Sequence, residues 1–433
     1  MLTMTRLIEL SNRISMIVWN EFLNDARVLK EAQTLQGVGY QVIVHALHTP
    51  GVTEESETLA SGVQVVRVAR SPLWKLRKRK RLEAQQNAKK KSAGANASPK
   101  PAAAPPPETF MRQLLKLVAR LWTHAGLAFQ LVCSKPAAIH AHDVNVLPTA
   151  WLAAKLARVP LVYDAHEIST DREGYKAFRG LVGWLEKKLM PKAAGTITTT
   201  EARAKFFARA YGIPRPLVLQ NRPRLVKVEG SQRIREQLGL SEPWPIVLYQ
   251  GGLQPGRGLP RLVEAAASVP NAYFVFIGGG RQEKELHDLA ERLDVADRVR
   301  FIPTVALDEL PAYTASADIG VQPIENTCLN HFTTDSNKLF EYVIAGLPVV
   351  ASQLPEIGKV VREHDLGLLV PESDTQALAC AIRQLVEAPE LRQRYRANAL
   401  KAAETLNWEA QERELVALYA RVLPNVQVGV SPR

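Results

Sequence analysis

Ser336, Lys338 and Glu341 fall within six residues, in a stretch that reads as a polar loop, a short helix and a buried strand. The chemistry that this spacing offers is capture of a phosphorylated nucleoside. Free amides at a helix start, with the positive end of the dipole, hold a diphosphate. A carboxylate about one turn further in accepts from two ribose hydroxyls. Ser336 is placed as an N-cap, its hydroxyl accepting from the first turn. The helix is expected from Asn337 to about Ala345, stopped by Gly346 and Pro348. Leu339, Phe340, Val343 and Ile344 form its apolar stripe, and Lys338 and Glu341 share the opposite face with Tyr342. Taken alone, these residues are equally a capped helix with a surface ion pair worth about 0.2–0.5 kcal/mol. The surrounding chain favours the ligand.

Two glycine-rich turns add to it. The strand Ile246–Gln250 runs into Gly251-Gly252-Leu253-Gln254-Pro255-Gly256-Arg257-Gly258. Its glycines permit close approach of backbone to phosphate, and Arg257 supplies a bidentate cation. Gly278-Gly279-Gly280 ends the next strand. Neither turn is a complete G-x-G-x-x-G and no P-loop is present, so a dinucleotide dehydrogenase is poorly supported. In the first half, His140, His142 and Asp143 end one strand, and Tyr163-Asp164-Ala165-His166-Glu167 ends another. His and Asp gather this way around metals. Hydrogen-bonded polar residues at strand tips are the commoner outcome, and one histidine facing a cleft is the sharper expectation.

The elements that must position these residues alternate. Strands are expected at Arg13–Trp19, Tyr40–Leu47, Val63–Val68, Ala137–His142, Leu161–Asp164, Thr196–Thr200 and Leu217–Gln220. Between them come helices at Phe22–Gln36, Val146–Ala157 and Ala177–Met190, and a further helix is expected at Phe110–Val132. Asn221 to Arg235 reads as a connector, and a second series of six strands runs from Ile246 to Val370. Strand–helix alternation predicts parallel, doubly wound sheets, here two α/β domains with a ligand cleft between them. Trp408–Val422 reads as an amphipathic helix.

The formal charge of +12 points first to nucleic acid or an anionic surface. Ten Lys/Arg and one acid lie between Lys75 and Lys100, leaving only +3 for the rest of the chain. This segment lacks interleaved aromatics, which argues against nucleic-acid stacking. Ala93–Pro107 is mostly Ala and Pro and cannot build a core, so about 75–107 is read as a disordered excursion. Beside the Phe110 helix it is also suited to rest on anionic lipid. Cys133, Cys328 and Cys380 form no disulfide or zinc spacing. With no signal-peptide pattern over Met1 to Ser11 and no 18-residue apolar run, a cytoplasmic protein is expected, in peripheral contact with the inner face of the membrane.

In this order and spacing the motifs resemble the retaining GT-B glycosyltransferases of family 4 (glycosyl transferase group 1). The residues that carry the resemblance are Asn24-Asp25-Ala26-Arg27-Val28 with Lys30-Glu31-Ala32, His140-Ala141-His142-Asp143, and Tyr163 to Glu167. In the second half they are Gly251 to Gly258, Ser336-Asn337-Lys338-Leu339-Phe340-Glu341-Tyr342, and Ala345 to Val350. The resemblance implies an acceptor domain over 1–222, a nucleotide-sugar donor domain over 223–407, and a helix in 408–433 packing back on the first domain. It implies transfer of a sugar from a nucleoside diphosphate donor to a glycan or lipid-linked acceptor, with no cofactor and no metal. Glu341 matches the second glutamate of the family's E-x7-E motif, which binds ribose. Arg257 matches the cation on the diphosphate, and His166 the histidine near the transferred sugar. Gly251, Gly252, Gly258, Gly279, Thr333, Ser336, Asn337 and Lys338 complete the implied donor site. Two positions depart from the family: Gly252 stands where Arg or Lys is usual, and Thr333 replaces the first glutamate. The first departure shifts phosphate charge to Arg257 and Lys338. The two together keep open a non-catalytic scaffold, and a nucleotide-sugar epimerase shares the fold.

Overall fold

The computed structural model describes residues 12–71, 110–226 and 230–426. The basic and Ala/Pro segment read as an excursion lies outside the described residues. The first sheet contains β1 (Arg13–Ile17), β2 (Gln41–His48), β3 (Ser56–Thr58), β4 (Gln64–Ala69), β5 (Ala138–His142), β6 (Leu161–Ala165), β7 (Gly195–Thr198) and β8 (Leu217–Val218). Their order is β3-β4-β2-β1-β5-β6-β7-β8, parallel throughout except for β3 against β4. The second sheet, wholly parallel, contains β9 (Ile246–Gln250), β10 (Tyr273–Ile277), β11 (Val299–Ile302), β12 (Ile319–Gln322), β13 (Val349–Ser352) and β14 (Gly367–Val370). Its order is β11-β10-β9-β12-β13-β14.

The central strands are apolar because helices cover both faces: Ile246–Gln250 and Tyr273–Ile277 are buried at every position. Strand order reverses between β1 and β5 in one sheet and between β9 and β12 in the other. Crevices at such reversals open at the carboxyl ends of the strands. The loops leaving β1, β6 and β9 all reach one cavity between the sheets.

The Trp408–Val422 helix crosses back. Trp408, Leu415, Leu418 and Tyr419 are buried in the core of the first sheet. Trp408 Nε1 donates to Thr34 Oγ1 at 2.8 Å, and the Tyr419 hydroxyl meets His140 Nδ1 at 3.0 Å. Asn407 caps the helix, its side chain accepting from the Ala410 amide.

Several expectations are corrected. The first helix begins at Ala26, not Phe22, because the Asp25 carboxylate accepts from the Val28 amide and Phe22 sits at φ 53°. The edge strand β3 and the Glu201–Tyr211 helix, capped by Thr200, were not anticipated. The stretch read as a connector runs into the Arg233–Leu238 helix, where Ile234 is buried.

Candidate functional site

The Asn337–Ile344 helix forms as its periodicity requires, with Leu339, Phe340 and Val343 buried. Tyr342 does not share the polar face with Lys338 and Glu341. It is fully buried, its hydroxyl lying 3.2 Å from Leu248 O and 3.3 Å from Val321 O. Ser336 does stand at the N-cap, but its side chain caps nothing. Its backbone takes φ 53°, ψ 132°, not the extended form of a capping residue, and the first-turn amides do not receive its hydroxyl as acceptor. That suits an incoming anion better than the expected cap.

Glu341 is half-buried and fixed: its Oε2 accepts from Gln250 Nε2 at 2.5 Å, and Gln250 Oε1 accepts from Thr314 Oγ1 at 2.8 Å. Lys338 lies back over the β9 turn. A Cβ at Gly251 would stand 2.6 Å from Lys338 Cε, and the φ of +120° there favours glycine. Burial, reinforced by the charge of Arg257 and opposed by Glu341, pulls the Lys338 ammonium down to about 8. Among the described residues Arg257 makes no hydrogen bond or ion pair.

From the first sheet comes His166, one-fifth exposed on the loop after β6. Its Nε2 lies 3.0 Å from Asp164 Oδ2 and 3.3 Å from His142 Nδ1, and its Nδ1 lies 3.8 Å from Asp143 Oδ2. Burial disfavours the imidazolium, but Asp143 and Asp164 outweigh it and lift His166 to about 9. His166 is therefore a cation at neutral pH. Arg27 grips both Asp164 oxygens, at 2.7 and 2.9 Å, and donates to Leu219 O. Burial and the neighbouring Asp164 push Glu31, 3.3 Å from Arg27, up to about 8.

Glu31, His140, His142 and Asp164 are the one group among the described residues whose ligand atoms converge as a metal would need. Arg27 already neutralises both Asp164 oxygens and stands beside Glu31. A divalent ion there would sit against a fixed cation.

His166, Arg257, Ser336, Asn337, Lys338 and Glu341 line one cavity of ≈ 680 Å³ between the two sheets. The other implied donor residues are not among its lining. A Cβ at Gly258 (φ +69°) would fall 1.9 Å from Pro323 O, so this glycine serves backbone packing. Gly251 stands against Lys338, which lines the cavity; Gly252 and Gly279 are not among its lining residues. Thr333 is buried and engaged: its hydroxyl donates to Leu329 O at 2.8 Å and accepts from Arg203 Nε at 3.2 Å.

Sequence reading passed over three residues here. Arg203 also donates to His166 O, Thr199 Oγ1 and Asn330 O, stitching the two halves behind the cavity. Asn330 answers from the second half, bonding both the amide and the carbonyl of Ile168. Asp335 lines the cavity, is 5% exposed and accepts from Gln220 Nε2 at 2.8 Å; burial raises its carboxyl. Only Asp335, two residues past Thr333, carried a signal in its position.

Residues 25–223 match the family described as glycosyl transferase 4-like domain, and residues 230–402 the family described as glycosyl transferases group 1. D-inositol 3-phosphate glycosyltransferase of Streptomyces bingchenggensis is 26% identical over 310 residues, 66% of each chain, so the match spans just under two thirds of that relative's length. Among solved structures, sucrose-phosphate synthase from Thermosynechococcus elongatus superposes with a TM-score of 0.72 at 19% identity, covering 96% of this chain and 100% of its own. Anabaena HepE in complex with UDP-glucose gives 0.68 at 18%, covering 94% and 99%. At these identities the structural likeness establishes the fold.

Proposed function

The chain belongs to the GT-B glycosyltransferases of the group 1 and 4-like families, and from that premise we propose that it transfers a hexose from a nucleoside diphosphate sugar to a glycan or lipid-linked acceptor, with retention of anomeric configuration. The observation that carries this reading is the convergence of Arg257, Lys338 and the uncapped Ser336 helix start with Glu341 on one wall, opposite His166 on the other. In the transfer, negative charge builds on the departing diphosphate. Arg257, Lys338 and the first-turn amides stand ready to stabilise it without reorganisation. The side chains supply the countercharge, so the proposed reaction needs no metal, and chelator treatment is expected to leave the rate unchanged.

Glu341, held by Gln250, takes the ribose hydroxyls. His166, protonated at neutral pH, positions the sugar or its phosphate as a donor and is not assigned as a base. Asp335, rather than Thr333, is placed to accept from the transferred sugar, because Thr333 already spends its hydroxyl on Leu329 and Arg203. No helix among the described residues is long and apolar enough to cross a membrane. The proposed place of work is the cytoplasmic face.

The test is a thermal-shift screen against UDP, GDP, ADP and their common sugars, with UDP-glucose tried first because HepE was solved with it. Selective stabilisation by one nucleotide, lost in Glu341→Ala, is the expected result. No shift with any nucleotide sinks the donor site and leaves a scaffold. Conversion of a bound donor with no acceptor present replaces transfer by epimerisation.

A further inference from the structure

Twenty-two large apolar side chains stand exposed among the described residues, and thirteen lie on three neighbouring helices of the first half or at their ends. Phe110–Cys133 presents Leu115, Leu121, Trp122 and Phe129, each more than half exposed. Leu147–Ala157 adds Leu152 and Leu156; Phe178 and the Arg179–Leu189 helix add Leu181 and Trp184. The helices adjoin: His124 on the first bonds Thr149 on the second, and Phe178 closes a groove of ≈ 580 Å³ against Lys116 and Leu117. This is one apolar face, larger than scattered surface leucines produce.

Its charges are of one sign. Among the described side chains the three helices hold Lys116, Arg120, Lys155, Arg179, Lys187 and Lys188 against a single acid, Glu186. Glu186 is fully buried, accepting from Tyr163, Ser169 and Tyr211. Exposed tryptophans and leucines beside Lys and Arg, with no exposed acid among the described side chains of these three helices, match the apolar-and-anionic boundary of a phospholipid leaflet. A second copy fits poorly, since a two-fold contact would set these cations against themselves.

We propose that this three-helix face docks on an anionic bilayer. The contact is peripheral. Trp19 stacks on His124 at 4.2 Å between ring centroids, and the residues that follow it, Asn20 to Asn24, line the central cavity. The bilayer would thus lie beside the first-sheet wall of the cleft. Resting on the transferase reading, that is the side from which a lipid-linked acceptor enters.

The experiment is flotation of the full chain with phosphatidylcholine vesicles, with and without phosphatidylglycerol. The full chain is expected to float only with the anionic vesicles and to be released by high salt. Leu121→Ser/Trp122→Ser/Trp184→Ser, all at exposed positions, is expected to lower the bound fraction at least tenfold with an unchanged melting temperature. Deleting 75–107 is expected to leave flotation in place. The proposal is overturned if the full chain stays with the soluble fraction, if the triple variant floats like the parent, or if the deletion abolishes binding. A dimer in sedimentation that the triple variant dissolves, with no flotation, overturns it in favour of a second copy. Nucleotide-induced thermal shift is read separately, so failure of the donor site and failure of the docking face are distinguishable.

Discussion

Lys338 and Arg257 are two cations brought together in a half-buried wall, and neither has an ion-pair partner among the described residues. Holding like charges close costs free energy that a bound diphosphate would relieve, so each is expected to matter more to the loaded state than to the fold. Arg257→Ala is predicted to lower turnover by about 100-fold, as loss of a transition-state donor does. Near-normal turnover would remove Arg257 from the site. Lys338 has a pH consequence. With its ammonium near 8, it is charged below that pH and neutral above it, so affinity for UDP is predicted to fall as pH rises past 8. Lys338→Arg should abolish that limb, and a titration by calorimetry reads it directly. Both line the cavity from positions with a local signal, a cation beside glycine and a cation in a helix's first turn. Ser336 stands at the helix start as its residue type suggests, but its φ of 53° is not legible in residue type, and its hydroxyl caps nothing.

The helices differ in how far their own residues specify them. Trp408–Val422 was legible to its ends because Asn407, the apolar spacing and Trp408 agree locally. Its destination was not, since the partners Thr34 and His140 lie hundreds of residues away. Trp408→Ala removes a fully buried ring and its bond to Thr34, a loss of roughly 3–5 kcal/mol. Urea unfolding followed by tryptophan fluorescence and circular dichroism would show it, and an unchanged midpoint would mean that the helix is not part of the first core. The Glu201–Tyr211 helix went unread although Thr200 caps it well. It is short and rich in charge, and its buried Arg203 breaks the apolar stripe that marks a helix to the eye.

Across the whole molecule, the cleft has its geometry because Arg203 and Asn330 tie the two halves together at its back. Arg203 reaches groups from both sides, two from the first half and two from the second. Arg203→Ala leaves those neutral acceptors without their shared donor, which costs roughly 1–3 kcal/mol for a buried group left unsatisfied. The predicted signature is a larger radius of gyration by small-angle scattering together with weaker UDP binding. A destabilised protein whose radius and affinity are unchanged would assign Arg203 to the first half alone.

What the sequence determined by itself was whatever neighbouring residues settle among themselves: the parallel sheets from apolar runs alternating with helical spacing, the β9 turn from its glycines, and Lys338 and Glu341 one turn apart. Tertiary structure decided everything that depends on who meets whom. It turned Tyr342 into the core, committed Thr333 to Arg203 and brought Asp335 to the cavity. It also set Asp143 and Asp164 around His166 so that a largely enclosed, one-fifth-exposed imidazole is held in its charged form. Periodicity and caps act over one or two turns, whereas a cleft is made by residues far apart in the chain, and only the packed sheets bring those within bonding distance.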